Sequence, residues 1–282
     1  MLKYIKKYIN PKRCVIVGVN VDYDKFPKLV EKYFSDFKNS ENENEIFLNE
    51  KSEWIGGEKR LEYLEPPFEV MKQNIPPLTS VNLSFKGFSL NDKDIYAAHV
   101  LETLIGGGDS FSAGGPGKGL HSIIHSRYLC QFDFYSMKCE HKPYTDNGIF
   151  QISASTRHDI AYKLIHPIAH LYQSMFDDVT SEEIQSAKNR FKSMILSVLE
   201  DIHGLSTNLA YDLLYLNHIR SGYYLCKQVD DVTIEDLKRV REKILNSKPA
   251  LSVIGNIDQV ETYEKIEKFV THLKNQIHQN QQ

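Results

Sequence analysis

The sequence predicts an α+β protein with a mixed sheet flanked by helices. Two observations carry this prediction. Short apolar segments of strand length are interspersed with longer stretches whose apolar residues recur every three or four positions. In addition, one strand–helix unit occurs twice, near the beginning and near the end of the chain. With 282 residues, the chain is long enough for one large domain or two smaller ones.

Composition excludes several classes of protein. A chain with 41% apolar and 25% charged residues is neither disordered nor a collagen-like repeat. No apolar run approaches the ~20 residues that span a bilayer, and a net charge of −3 argues against a general nucleic-acid-binding protein. The cysteines form no C-x-x-C motif, and we expect free, mostly buried thiols in a reducing compartment at Cys14, Cys130, Cys139 and Cys226.

The first 77 residues predict only a few elements. Residues 14–19 are β-branched and apolar, as in a buried strand. Residues 38–53 are typical of an acidic loop, and residues 60–64 alternate like a half-exposed strand. The proline pairs that follow indicate a connection between domains. Between the first strand and the loop, one face of an amphipathic helix is predicted by Phe26, Leu29, Val30, Tyr33, Phe34 and Phe37.

A complete α+β set follows from Ser80. It begins with a strand ending near Phe88 and a helix that Asp92 caps. Thr180 and Glu183 form a capping-box pattern, and Pro167 is expected to cause a kink or a break in the helix before it. The remaining predicted elements are strands around 128–137 and 148–155, three or four helices within 158–245, a strand at 249–255 and a helix at 260–273.

The repeated unit suggests how the domains are organised. Residues 17–22 (Val-Gly-Val-Asn-Val-Asp) resemble residues 254–258 (Ile-Gly-Asn-Ile-Asp), and a similar helix follows each. We therefore expect residues 1–65 to be the C-terminal tail of a first domain, 66–77 a linker, and 78–282 a second, related domain. In this interpretation the chain is a piece of a longer protein. The alternative is a chance likeness between two ordinary strand–helix units.

A glycine-rich segment after the first helix of the second domain is the main candidate site. It holds seven of the fifteen glycines of the chain in fourteen residues. Glycine lets backbone groups approach a ligand closely, so such a segment suits an extended peptide; a connector without function is the alternative. The predicted substrate-binding residues are Gly106, Gly107, Gly108, Asp109, Ser110, Phe111, Ser112, Ala113, Gly114, Gly115, Pro116, Gly117, Lys118 and Gly119.

Phosphate binding is a weak interpretation of this segment. A P-loop needs G-x-x-x-x-G-K-[ST] after a strand. Here Ser112 occupies the position of the first glycine, Gly119 follows Lys118, and a helix precedes the segment. The G-x-G-x-x-G pattern also fails, because Leu120 stands where its last glycine would be.

The sequence predicts neither a catalytic site nor a metal ligand. The zinc motif H-x-x-E-H does not occur. Two histidine pairs have a spacing of four residues, but neither contains the required glutamate: His121 with His125, and His166 with His170. Glu140-His141 is an isolated dipeptide, and no Ser/His/Asp arrangement is defined by spacing.

Residues 106–119 resemble the glycine-rich loop of the alpha-subunit family of mitochondrial processing peptidases, within the pitrilysin-like zinc peptidase superfamily. The likeness extends to Asn10-Pro11-Lys12-Arg13, Trp54-Ile55-Gly56-Gly57 and Lys248-Pro249-Ala250. The resemblance implies the LuxS/MPP-like metallohydrolase fold with two related domains, of which this chain is the C-terminal portion. Asp109 departs from the family pattern, which has a fourth glycine there, and residues 122–125 also differ.

The resemblance also implies a function. Members are non-catalytic, substrate-recognising subunits that form a heterodimer with a zinc-containing catalytic beta subunit and remove presequences from precursors imported into the mitochondrial matrix. No cofactor is then expected in this chain. Asp109 could pair with presequence arginines and Lys118 would repel them, although ordinary solvation explains both charges equally well. The alternative function is a structural core protein of the respiratory cytochrome bc complex, which shares this ancestry.

Overall fold

The structure is a computed structural model that describes residues 11, 14–36, 51–63, 77–109, 122–129, 133–176 and 178–279. The chain divides into two compact units. The smaller unit comprises Met1–Ser52 with Lys192–Lys227, and the larger comprises Glu53–Phe191 with Gln228–Gln282. Within the described ranges, every helix is too short or too polar to cross a bilayer.

The larger unit contains a six-stranded mixed sheet, as the sequence predicts. The strands lie in the order β1-β6-β2-β5-β4-β3. Strand β1 runs parallel to β6, and the other neighbours are antiparallel. The strand bounds are β1 Gly57–Glu62, β2 Leu78–Lys86, β3 Gly107–Asp109, β4 Ser136–Pro143, β5 Gly148–Arg157 and β6 Ala250–Gly255.

The described helices separate most of these strands along the chain. Those of the α type are α1 Lys25–Phe34, α2 Ile95–Ile105, α3 Ile165–Ser174, α4 Ser181–Glu200, α5 Ile202–Tyr211, α6 Gly222–Asp230, α7 Ile234–Leu245 and α8 Tyr263–Gln279. Helices α4 and α6 each have residues in both units. Short 3-10 helices span His158–Lys163 and Ile257–Gln259, and π-helices span Ile124–Leu129 and Asp212–Leu216.

One face of the sheet forms the core of the larger unit. Alternate residues of each strand point to the same side, and on this side most of them are apolar and buried, while Thr79, His141 and Thr156 are buried polar residues. Helices α2, α3 and α7 contact strands of the sheet. The buried apolar strand residues of this face, matched across the sheet by the strand register, are Val81, Leu83, Phe85, Met137, Cys139, Phe150, Ile152, Ala154, Leu251 and Val253.

The opposite face of the sheet is polar. Asn82 donates from Nδ2 to Oε1 of Gln151 at 3.0 Å, and Gln151 donates from Nε2 to Oε2 of Glu140 at 2.7 Å. Lys138 Nζ donates to Oε1 of Glu140 at 2.8 Å. These residues lie on β2, β5 and β4, so a chain of side-chain hydrogen bonds crosses three strands.

A buried carboxylate fixes the start of α2. Asp94 immediately precedes the helix and is only 1% exposed. Lys243 Nζ lies 2.6 Å from its Oδ2, and Arg239 Nη2 lies 2.5 Å from its Oδ1. Burial favours the neutral acid, but hydrogen bonds and attraction from the two cations outweigh burial and lower the pKa of Asp94. The pair of cations ties α2 to α7.

The smaller unit contains α1 and α5. Asp212 is completely buried there and accepts hydrogen bonds from the backbone N–H of Arg220 at 2.8 Å and from its Nη2 at 2.7 Å. In contrast, α1 has no buried residue. Three of its apolar side chains are exposed, by 51% at Leu29, 69% at Tyr33 and 51% at Phe34.

Several predicted elements differ from the structure. The predicted strand at 14–19 is irregular, since strand structure needs a hydrogen-bonded neighbour and none of the described strands pairs with it. The strand predicted at 128–137 begins only at Ser136, because Tyr128 belongs to a π-helix. Pro167 lies in the first turn of α3, where a missing N–H is tolerated, so the break comes before the proline.

Other predictions are confirmed. The capping box at the start of α4 forms, with Thr180 N donating to Oε2 of Glu183 at 2.8 Å and Glu183 N donating to Oγ1 of Thr180 at 3.1 Å.

The three described cysteines are free. Only Cys139 is buried, whereas Cys14 is exposed and Cys226 is half-buried, so the expectation of mostly buried thiols is wrong for these three.

Candidate functional site

The glycine-rich segment begins at a helix end that requires glycine. Gly106 follows α2 with φ 67° and ψ −140°, and its N–H donates to the carbonyl of Glu102 at 2.7 Å. A Cβ at this position would lie 2.3 Å from Cβ of Ser122. The positive φ and the close approach of Ser122 both exclude a larger residue at Gly106.

The next two glycines differ from each other. Gly107 has φ 144°, and a Cβ there would lie 2.4 Å from Cα of Lys138 on the neighbouring strand. Close packing of β3 against β4 therefore accounts for Gly107. A Cβ at Gly108 would meet no described heavy atom within 4 Å, so packing among the described residues does not explain why this position is glycine.

Strand β3 is the last strand of the sheet among the described residues. It pairs Gly107 with Lys138, Gly108 with Met137 and Asp109 with Ser136. Three of the predicted substrate-binding positions, Gly106, Gly107 and Gly108, and the backbone of Asp109 are thus placed at this edge of the sheet. The other predicted positions, residues 110–119, lie outside the described residues.

The glycine-rich segment begins at the end of helix α2, and its strand β3 pairs with β4. These two elements, α2 and β4, also bring together three side chains of types that bind metal ions in proteins. These are His99 and Glu102, one turn apart on α2, and His141 on β4. One ring nitrogen or carboxylate oxygen from each lies within 4.8 Å of the other two. His99 Nδ1 lies 3.0 Å from Oε2 of Glu102, and the rings of His99 and His141 have centroids 4.9 Å apart.

His141 is neutral in this environment. Its side chain is 5% exposed, and burial, together with the nearby His99, lowers its pKa to about 3. The backbone N–H of Phe88 donates to its Nε2 at 3.1 Å. Among the described residues, Nδ1 of His141 has no hydrogen-bond partner although it is buried, which is uncommon for a buried polar atom.

The sequence contained a signal for this cluster. The stretch His99-Val100-Leu101-Glu102-Thr103 matches H-x-x-E-H in its first histidine and its glutamate, with Thr103 in place of the last histidine. In the sequence, His141 belongs only to an isolated Glu-His dipeptide. It lies on a strand more than thirty residues downstream of α2, and only strand pairing and helix packing bring it to that helix.

The histidine pairs considered from spacing lie elsewhere. His166 is exposed and lies 3.5 Å from Oε1 of Glu261. His170 bonds through Nδ1 to the hydroxyl of Tyr128 at 2.8 Å. His125 is half-buried in the first π-helix, and His121 lies outside the described residues. Among the described residues, neither pair belongs to a metal-ligand cluster.

Comparison with known sequences identifies relatives over most of the chain. The sequence model described as the peptidase M16 inactive domain matches residues 1–191. Mitochondrial-processing peptidase subunit alpha of Homo sapiens is 28% identical over 267 residues, which cover 94% of this chain and 51% of the relative. The protein of the same name from Caenorhabditis elegans is 28% identical over 280 residues, 95% of this chain and 54% of the relative. The chain thus spans about half the length of these relatives.

Comparison with solved structures shows a similar fold. A chain of complex III2 from Candida albicans, with Inz-5 bound, superposes with a TM-score of 0.69 at 19% identity. The superposition covers 89% of this chain and 57% of the other. The α+β architecture with a mixed sheet therefore has a counterpart in that assembly.

Proposed function

Because the chain belongs to the peptidase M16 family, whose inactive domain its residues 1–191 match, we propose that it acts as the non-catalytic, substrate-recognising alpha subunit of a mitochondrial processing peptidase. The observation that carries this proposal is its similarity to subunits of that name over more than nine-tenths of its length. The chain spans about half the length of those relatives. The activity, substrates and partners of the whole enzyme are therefore proposed for this chain.

The catalytic group is proposed to reside in a partner. The matched domain is described as inactive, and the sequence lacks the H-x-x-E-H motif that binds zinc and activates water in this type of peptidase. Hydrolysis then requires a zinc-containing beta subunit, with which this chain forms a heterodimer. The substrates are basic presequences of imported precursors, and the site of action is the mitochondrial matrix.

Residues 106–119 are proposed to bind or guide the presequence. The geometry at Gly106 and Gly107 supports this role indirectly, because it anchors the start of the segment to Ser122 and to β4. Gly108 and the residues that follow offer backbone groups with little side-chain bulk, which suits substrates of varied sequence. Asp109 supplies a carboxylate within the segment for presequence arginines.

The proposal includes a domain organisation. Residues 1–65 form the tail of a preceding domain, 66–77 a linker, and 78–282 the second domain. In this arrangement β1, which falls within the first range, joins the sheet of the second domain by pairing in parallel with β6. Limited proteolysis of the purified chain tests it, since cleavage is expected first within the proposed linker, 66–77.

A core protein of the respiratory cytochrome bc complex is the second candidate. The structural likeness to a chain of complex III2 favours it, but at 19% identity that likeness concerns the fold alone. The sequence relatives named as processing-peptidase subunits favour the first candidate. Purification without detergent together with a zinc-containing partner supports the peptidase, whereas purification in a detergent-dependent haem assembly supports the core protein.

Reconstitution tests the proposed function. The chain is mixed with a catalytic beta subunit, and cleavage of a presequence peptide is followed, with a full-length alpha subunit as the positive control. We expect the two proteins to elute together on size exclusion and to cleave the peptide faster than the beta subunit alone. Separate elution and an unchanged rate would contradict the proposal.

A further inference from the structure

We propose that His99, Glu102 and His141 form a binding site for a divalent transition-metal ion, with zinc as the best match, that serves structure rather than hydrolysis. Two imidazoles and one carboxylate bind zinc in proteins when a water completes the coordination at a fourth position. Their donor atoms lie within 4.8 Å of one another, so the side chains must close by about 1 Å to reach the 2.0–2.2 Å bonds that zinc makes to nitrogen and oxygen.

Burial and access both suit an ion. His141 is 95% buried, and its Nδ1 has no hydrogen-bond partner among the described residues, so no protein acceptor there holds the proton that an ion at this nitrogen would displace. The side chains of His99 and Glu102 are 23% and 28% exposed. The site is therefore open to solvent on the α2 side and closed on the β4 side, which gives an ion a path of entry.

The hydrogen bonds define what binding must change. Since the carboxylate of Glu102 accepts, Nδ1 of His99 carries a proton. An ion that also binds Glu102 must take Nδ1, the nitrogen that faces the carboxylate, so this proton moves to Nε2 and the His99–Glu102 hydrogen bond is replaced by coordination. In His141, Nε2 accepts from the N–H of Phe88, so the proton of the neutral ring is on Nδ1. Ligation through Nδ1 transfers this proton to Nε2, so the Phe88 hydrogen bond is lost and the two N–H donors, which then face each other, must move apart. One such bond is weaker than the coordination that replaces it.

The position of the site gives it a structural consequence. Helix α2 ends at the glycine-rich segment, and β4 pairs with β3, the strand in which that segment begins. An ion that joins His99 and Glu102 on α2 to His141 on β4 would fix the two elements on which the segment is mounted. The proposed metal therefore stabilises the base of residues 106–119 without a step in peptide hydrolysis.

Zinc titration of the tag-free, EDTA-treated chain tests the proposal by calorimetry. We expect one equivalent of Zn²⁺ to bind and to raise the melting temperature. His99→Gln and Glu102→Gln, at partly exposed positions, should each weaken binding by about tenfold or more. His166→Gln is the matched control, because His166 also lies beside a glutamate but belongs to no group of three metal-ligand side chains among the described residues, and the zinc affinity of this variant should equal that of the wild type.

A second readout separates this site from incidental surface binding. Amide hydrogen exchange at Phe88 should become faster when Zn²⁺ is added, because its acceptor is lost. Circular dichroism melts in EDTA check that the variants fold. The absence of saturable zinc binding, wild-type affinity in both His99→Gln and Glu102→Gln, or unchanged exchange at Phe88 in the zinc-loaded chain would overturn the proposal.

Discussion

Gly107 packs against Lys138 so closely that a Cβ on the glycine would lie 2.4 Å from Cα of the lysine. The two residues face each other across the pairing of β3 and β4. The glycine-rich segment thus has two parts with different reasons for their composition. Gly106 and Gly107 meet a packing requirement, whereas Gly108 has open space around it among the described residues.

Alanine substitutions at Gly107 and Gly108 should therefore differ in their effect on stability. Gly107→Ala combines a clash with backbone and a φ of 144°, so we expect it to lower the free energy of unfolding by about 2 kcal/mol or more. Gly108→Ala is the matched control and should change it by less than about 0.5 kcal/mol. Urea unfolding measures both, and equal destabilisation would contradict this account.

Asp94 should be a main electrostatic contributor to the stability of the larger unit. Asp94→Asn removes a buried carboxylate, the ion-pair partner of Lys243 and one of two carboxylates at Arg239, which keeps its contact with Asp236. Because both cations are partly exposed and can be solvated, we expect a loss of about 2–3 kcal/mol, at or below the range for fully buried pairs. Asp159→Asn, in the exposed pair with Arg157, is the control and should have no measurable effect.

The same carboxylate should make stability depend on pH in acid. The lowered pKa of Asp94 means that the folded chain keeps this group ionised at a pH where the unfolded chain takes up a proton. Its contribution is therefore present above the ordinary aspartate pKa of about 3.9 and is lost as pH falls through the lower, folded value. Wild-type and Asp94→Asn stabilities should converge in that range; a difference that grows toward low pH would contradict the assignment.

The exposed apolar face of α1 should promote self-association. Leu29, Tyr33 and Phe34 expose half or more of their surface on one short helix, and exposed apolar patches favour contacts between molecules. We expect the apparent mass from light scattering to rise with concentration. Combined Leu29→Lys and Phe34→Lys substitutions should reduce this rise, and Lys28→Gln should not. A concentration-independent monomer would show that this face does not drive association.

The strands and helices whose signals are local were predictable from sequence. Thr180 and Glu183 specify the start of α4 because a capping box involves only four residues. By contrast, residues 14–19 have the composition of a strand but no described partner, and composition alone cannot supply one. The apolar neighbours of Tyr128 suit a strand and a buried helical turn equally well, so the pattern could not distinguish the predicted strand from the π-helix that forms.

The candidate site was only partly predictable for the same reason. The density of glycines around Gly107 is visible in the sequence, but its packing against Lys138 depends on the β3–β4 register. His99 and Glu102 share the spacing of a known motif, whereas His141 joins them only through strand pairing and packing of α2. Contacts between residues that are distant in the sequence could not be predicted from local patterns.

The most direct test of the proposed recognition role is a cleavage assay in which residues 110–119 are deleted. The wild-type chain and the deletion variant, each mixed with a catalytic beta subunit, are compared on a basic presequence peptide over a range of concentrations. We predict that the deletion raises KM by about tenfold or more, the loss expected from removing substrate contacts, while the two proteins still elute together. An unchanged KM and kcat in the deletion variant would contradict the account.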